Sequence, residues 1–301
     1  MNILITGGTG TLGKAIVDYL LNIDEVTKIV ILSRNEYNQY KMISGYKKEQ
    51  LEKLRFFIGD ITDKDRIMTA LNKINCVIHC AALKHVDIVE YNPQEAIRIN
   101  INGTENLLKC CNEKNIQNFI FISTDKACNP NNLYGATKYC GEKLTVNYNN
   151  LSLTCKFSVC RFGNIFGSNG SVVPLFIEQN NNNKFTITDK NMSRFSIMSN
   201  EAADFIFKSL NEMKGGEIFV PKLKSYNILD IIYALNDNPN ITNIGLRKGE
   251  KLVEWMISSV ESSTNFIYNF PDKYIILQSV RDDLNDNLIL DNTFEYKYYF
   301  N

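Results

Sequence analysis

Residues 2–13 restrict the fold of this chain more than any other stretch. Asn2-Ile3-Leu4-Ile5-Thr6, an apolar run of strand length, passes without a spacer into Gly7-Gly8-Thr9-Gly10-Thr11-Leu12-Gly13 and then into a helix-forming run through Leu21. The pattern is strand, glycine turn, helix. Gly7 permits the tight turn, Gly10 lets the backbone approach a pyrophosphate on the helix N-terminus, and Gly13 allows the helix to pack closely on the strand. A dinucleotide is expected there, with Thr11 and Leu12 beside it.

Further strand-like runs follow at 28–32, 56–61, 76–82 and 118–123, separated by segments of helix length. That alternation predicts an α/β fold with a doubly wound parallel sheet of the Rossmann type. The second strand ends in Ser33-Arg34, where an NAD site usually places a carboxylate for the ribose 2'-hydroxyl. Arg34, helped by Ser33, suits a 2'-phosphate instead, so the expected cofactor is NADP. Asp60 and Ile61 close the third strand, where Asp60 can contact the adenine. Ala81 and Ala82 give the fourth a small-residue end past which the cofactor backbone can run.

The alternation persists to about residue 170. Residues 1–170 are therefore expected to form the NADP-binding domain with the catalytic residues, and 171–301 a smaller, mainly helical substrate-binding lobe, with the chain crossing between them. Stretches 201–213 and 228–235 have apolar residues at helical spacing, and the asparagine run 180–183 reads as a surface turn.

Charge and cysteine usage narrow the class. Lys plus Arg and Asp plus Glu both number 33, so no overall field favours nucleic acid or an anionic membrane. Apolar runs stay below the roughly 18 residues of a membrane span, and Met1 leads straight into a strand, so a cytoplasmic location is expected. The 8 cysteines contain no Cys-x-x-Cys pair and there are only 2 histidines, His79 and His85, so no metal site is expected. His85, with Lys84, follows a strand end, where ligands collect in such folds.

The chemistry is concentrated after the fifth strand. Thr124, Asp125 and Lys126 emerge at its carboxyl end, and Tyr134 and Lys138 follow, four apart on a helix-compatible stretch and so on one face. A phenolate base at neutral pH needs its proton affinity lowered by roughly 3 units, which Lys138 and an oxidised nicotinamide can supply. By itself the spacing also fits an ordinary amphipathic helix; the glycine turn shifts the balance. Asp125 and Lys126 add a second acid/base pair beside them. They are expected to titrate as one unit.

The motifs Ser123-Thr124-Asp125-Lys126-Ala127, Asn132-Leu133-Tyr134-Gly135-Ala136-Thr137-Lys138 and Arg161-Phe162-Gly163-Asn164 are joined by Gly167-Ser168, Gly170-Ser171-Val172-Val173-Pro174, Met192-Ser193-Arg194-Phe195 and Gly245-Leu246-Arg247-Lys248-Gly249-Glu250-Lys251-Leu252. From about residue 2 to 258 this resembles the extended short-chain dehydrogenase/reductase superfamily, and within it the configuration-inverting UDP-N-acetylglucosamine 4,6-dehydratases. Retaining sugar-nucleotide dehydratases typically carry Thr-Asp-Glu where this chain has Thr124-Asp125-Lys126, and 4-epimerases lack the pair. The resemblance implies UDP-N-acetylglucosamine as substrate and a homo-oligomer. It implies that Tyr134 takes the O4 proton during oxidation at C4, Lys126 is the base at C5, and Asp125 the acid that helps the C6 hydroxyl leave. Arg194 and Arg247 would clamp the diphosphate, Asn164 and Glu250 would join at phosphate and uridine ribose, and Lys84 and His85 would sit near the sugar. A retaining dehydratase, a UDP-hexose 4-epimerase and a non-catalytic dinucleotide sensor are the alternatives.

Overall fold

The structure is a computed structural model and describes residues 1–297, so the last four residues of the expected 171–301 lobe lie outside it. Strands β1 (Asn2–Thr6), β2 (Lys28–Ser33), β3 (Leu54–Ile58), β4 (Cys76–His79), β5 (Asn118–Thr124) and β6 (Lys156–Phe162) pair in parallel in the order β3-β2-β1-β4-β5-β6. The strand order reverses between β1 and β4, which opens a crevice at their carboxyl ends.

Both faces of the sheet are covered, as a parallel sheet requires. Successive side chains of a strand point to opposite faces. Leu4, Val30, Val77 and Phe119 pack into one core, and Ile3, Ile5, Ile29, Ile31 and Ile120 into the other. Helix α1 (Thr11–Leu20) buries Ile16, Val17 and Leu20 on the second face.

The expectation of a mainly helical C-terminal lobe is corrected here. Ile218–Pro221 pairs parallel to β6, and Lys273–Leu277, Phe266–Asn269 and Leu288–Ile289 follow it antiparallel, making one 10-stranded sheet. The helix Ser199–Glu212 also returns to this sheet, packing beside α1, where the Tyr19 hydroxyl donates to Asp204 at 2.8 Å. A separate small core remains around Phe176, Phe185, Met192, Ile228 and Ile232. It joins the helices Val172–Asn180 and Ile228–Leu235, and the asparagine run closes the first of these in a turn. Among the described residues no helix is long and apolar enough to cross a membrane.

Candidate active site

A cavity of about 990 Å³ lies at the carboxyl ends of the parallel strands and takes its walls from both halves of the chain. The glycine turn contributes Gly7, Gly10, Thr11, Leu12 and Gly13; strand ends add Ser33, Arg34, Asp60, Ile61, Ala81 and Ala82. The turn depends on its glycines. Gly7 has φ +67°, and a Cβ on Gly13 would lie 2.5 Å from the Gly7 carbonyl oxygen. Helix α1 opens on Gly10 with no side-chain cap and no acidic residue in its first turn, so its N–H groups are available to an anion. These residues fit a dinucleotide pyrophosphate.

At the adenosine end, Arg34 is largely exposed and reaches Asp60 Oδ2 at 3.6 Å. Burial alone would raise the Asp60 carboxyl, but hydrogen bonds from Thr62 and the charge of Arg34 hold it below its ordinary value. The Ser33 hydroxyl accepts from Gln39 Nε2 at 2.9 Å, a partner the sequence did not reveal.

The helix Leu133–Leu151 carries Tyr134 and Lys138 to the opposite wall. Its cap is Asn132, whose side chain accepts from Gly135 N at 2.8 Å. Gly135 lets the start of this helix press against the turn Asp125–Ala127, since a Cβ there would stand 2.1 Å from the Lys126 carbonyl oxygen. That approach brings Lys126 and Tyr134 into one cavity. Asn100, in a π-helical stretch Ile97–Gly103, holds Leu83 through both backbone groups and donates to Thr137 Oγ1, which donates to the Tyr134 carbonyl at 2.8 Å.

Lys126 Nζ donates to Asp125 Oδ1 at 2.9 Å and to Asn164 Oδ1 at 3.2 Å. Thr124 lines the cavity, and its hydroxyl donates to Asp125 Oδ1 at 2.9 Å. Asp125 itself is 0% exposed and stands behind the wall, its Oδ2 without a hydrogen-bond partner among the described residues. On the far side, the Glu250 carboxylate is 3.6 Å from Arg194 Nη2 and accepts from the backbone N–H of Arg247 at 3.1 Å. The Arg247 guanidinium is half-exposed, 4.0 Å from Asp87. Lys84 donates to the Asn169 carbonyl at 2.8 Å, and His85 packs over Gly170.

The family described as "Polysaccharide biosynthesis protein" matches residues 3–277. The chain belongs to that family. A UDP-N-acetylglucosamine 4,6-dehydratase (inverting) from Campylobacter jejuni subsp. jejuni serotype O:2 is 44% identical over 290 residues, 95% of this chain and 85% of that one. A UDP-glucose 4-epimerase from Rickettsia bellii is 37% identical over 86% of this chain and 78% of its own. The X-ray structure of Pen from Bacillus thuringiensis is 34% identical and superposes with a TM-score of 0.90, covering 98% of this chain and 91% of that one.

In this member of the family the electrostatics depart from the sequence-based expectation in two ways. Burial pushes the Tyr134 phenol up to about 12, and the positive charge that counteracts it is Lys126, not Lys138. Lys138, buried with its Nζ 3.8 Å from the centre of the Phe121 ring, is brought down to about 7 by desolvation. Lys126 goes the other way: burial would lower it, but Asp125 and then Glu254 overcome burial and the repulsion of Arg194, so the amine holds its proton more firmly than usual. Sequence reasoning missed Glu254, which has no motif around it that marks it as a neighbour of Lys126. It also left His79 without a role. His79 is buried in a structural chain, Thr6 Oγ1 at 2.6 Å from Nδ1 and Thr104 Oγ1 at 2.9 Å from Nε2, and burial lowers it to about 3.

Proposed function

We propose that this protein is an NADP-dependent UDP-N-acetylglucosamine 4,6-dehydratase that inverts C5. The observation that carries the reading is the 2.9 Å bond between Lys126 Nζ and Asp125 Oδ1 in the cavity that also holds Tyr134 and the glycine turn. A redox base and an elimination pair stand side by side. A dinucleotide held by the glycine turn, Ser33 and Arg34 would supply, in its oxidised form, a reversible hydride acceptor for the C4 oxidation and the C6 reduction, and a positive ring that would favour the Tyr134 phenolate.

Tyr134 accepts the O4 proton as the C4 ketone forms, and the ketone acidifies C5. Moving one proton along the Lys126–Asp125 bond turns an ion pair into a neutral amine and a carboxylic acid, the reactive form of each partner. Neutral Lys126 then takes the C5 proton. Because Asp125 is walled off, its proton reaches the C6 oxygen through Thr124, which lines the cavity and whose hydroxyl already bonds to Asp125. The C6 oxygen leaves as water. Arg194, paired with Glu250, and the half-exposed Arg247 suit a diphosphate.

The test is proton NMR of UDP-N-acetylglucosamine incubated with the protein and NADP in heavy water. A 4-keto-6-deoxy product with deuterium at C5 and inverted configuration is expected. Retention at C5 would remove Lys126 from the inverting role, and a galacto-configured sugar would make the protein an epimerase like the Rickettsia relative.

Two further outcomes follow from the clamp and the adenosine end. Arg34→Ala is expected to weaken NADP while leaving NAD unchanged in parallel calorimetric titrations; a wild type that prefers NAD would refute the cofactor assignment. Arg247→Ala is expected to weaken the nucleotide sugar by roughly 1.5–3 kcal/mol, the range for a charged hydrogen bond, with NADP affinity intact. Equal losses for both ligands would show a general structural effect instead.

A further inference from the structure

Glu254 belongs to neither the cofactor cradle nor the diphosphate clamp. It immediately precedes the strand Trp255–Ile257, and its side chain is 4% exposed. Oε1 stands 3.7 Å from Lys126 Nζ, and Oε2 stands 3.5 Å from Lys251 Nζ. Oε2 has no hydrogen-bond partner among the described residues. The Lys251 amine donates to the carbonyls of Cys128 and Asn129 at 3.1 and 2.6 Å, tying the turn after Lys126 to the segment that carries Glu254. A buried carboxylate with incomplete hydrogen bonding is costly unless charge compensates it. Of the two lysines within 4 Å of it, Lys126 is the one that lines the cavity.

We infer that Glu254 is a positioning residue for Lys126: its carboxylate anchors the amine from inside the protein and sets the pH range over which Lys126 sheds its proton. The inference rests on the reading of Lys126 as the C5 base. Without Glu254, Lys126 would face one carboxylate, Asp125, on its own turn. The remaining groups around it are Arg194 from the strand Ser193–Ile197, Tyr226 from the strand Lys224–Asn227 and Tyr134 from the helix Leu133–Leu151. Arg194 repels the ammonium, so with Glu254 neutral the balance moves toward the free amine. Burial in turn holds the Glu254 carboxyl above its ordinary value, while Lys126 pulls it down. The two groups therefore control each other, and the nearby Asp125 charge adds to the upward push on Glu254.

Glu254→Gln removes the charge and keeps the shape; Glu254→Asp keeps the charge. Each full-length protein is labelled with a trace of an amine-reactive reagent from neutral to strongly alkaline pH, and Lys126 is followed by mass spectrometry against Lys251 and a surface lysine. In Glu254→Gln the Lys126 midpoint is expected to fall by roughly 1–3 pH units, the effect of losing one close opposite charge, while Glu254→Asp stays with the wild type. Coincident midpoints in Glu254→Gln and wild type would overturn the inference, as would an equal fall in Glu254→Asp. Turnover of UDP-N-acetylglucosamine by the same wild-type preparation is scored separately. If turnover is absent, the functional reading fails while the Lys126 midpoints still decide the Glu254 linkage.

Discussion

Tyr134→Phe is expected to lower turnover of UDP-N-acetylglucosamine by roughly 10²–10⁴-fold, the usual contribution of a positioned acid/base group, with cofactor affinity little changed. Tyr134 sits in the first turn of the helix Leu133–Leu151, whose start is fixed by the Asn132 cap and by Gly135 pressed on the Lys126 carbonyl. Phenylalanine keeps the ring and loses only the hydroxyl, so packing and cradle should survive. The loss falls on the first chemical step, because no ketone can form until O4 gives up its proton. Single-turnover appearance of reduced nicotinamide reads that step directly. The pH dependence has a definite sign. Burial holds the Tyr134 phenol at about 12 in the protein alone, so the protonated, inactive form dominates at neutral pH and the wild-type rate should climb with pH. In Tyr134→Phe this tyrosine-dependent rise should vanish. A variant that still forms reduced nicotinamide at the wild-type rate would take Tyr134 out of the reaction.

The same pair of residues shows how far the sequence could be read. Four-residue spacing on a helix put Tyr134 and Lys138 on one face, and the structure has both lining the cavity. It could not give the direction of their proton affinities. Those depend on which charges lie near in space, and the positive charge that acts on the phenol comes from Lys126, whose own state depends on Glu254 more than 100 residues later in the chain. Local chemistry was legible; cross-chain electrostatics were not.

Strand pairing divides along the same line. The parallel core was readable because its strands are buried on both faces and are nearly continuous apolar runs. The strands Phe266–Asn269 and Lys273–Leu277 form a hairpin whose Pro271-Asp272 corner is a recognisable turn signal. Nothing local told that this hairpin would extend the main sheet beyond β6 through Ile218–Pro221. Short runs without a partner in sequence leave their place in a sheet open.

Arg161→Met is expected to destabilise the protein by roughly 3–5 kcal/mol, the cost of leaving buried charges without their partner, or about 5–8 °C in the midpoint of thermal unfolding. Arg161 is fully buried on β6 and is held by two carboxylates. Nε and Nη2 donate to Glu142 at 2.9 and 2.6 Å, Nη1 and Nη2 to Glu261 at 2.7 and 2.8 Å, and Nη1 also to the Met256 carbonyl at 2.8 Å. Glu142 lies one turn after Lys138 on the same helix, and Glu261 lies on the short helix Ser259–Thr264. One guanidinium therefore pins the helix bearing Tyr134 and Lys138 both to the sheet and to the C-terminal segment. Methionine replaces the apolar stem but satisfies neither carboxylate. If the penalty comes from the orphaned charges rather than lost packing, adding Glu142→Gln and Glu261→Gln to Arg161→Met should restore most of the stability in urea melts. Activity should recover less, because a helix no longer held by directed bonds has lost the geometry that brings Tyr134 to Lys126. Full recovery of stability and turnover together would mean that the ionic cluster places nothing and that packing alone sets the catalytic helix.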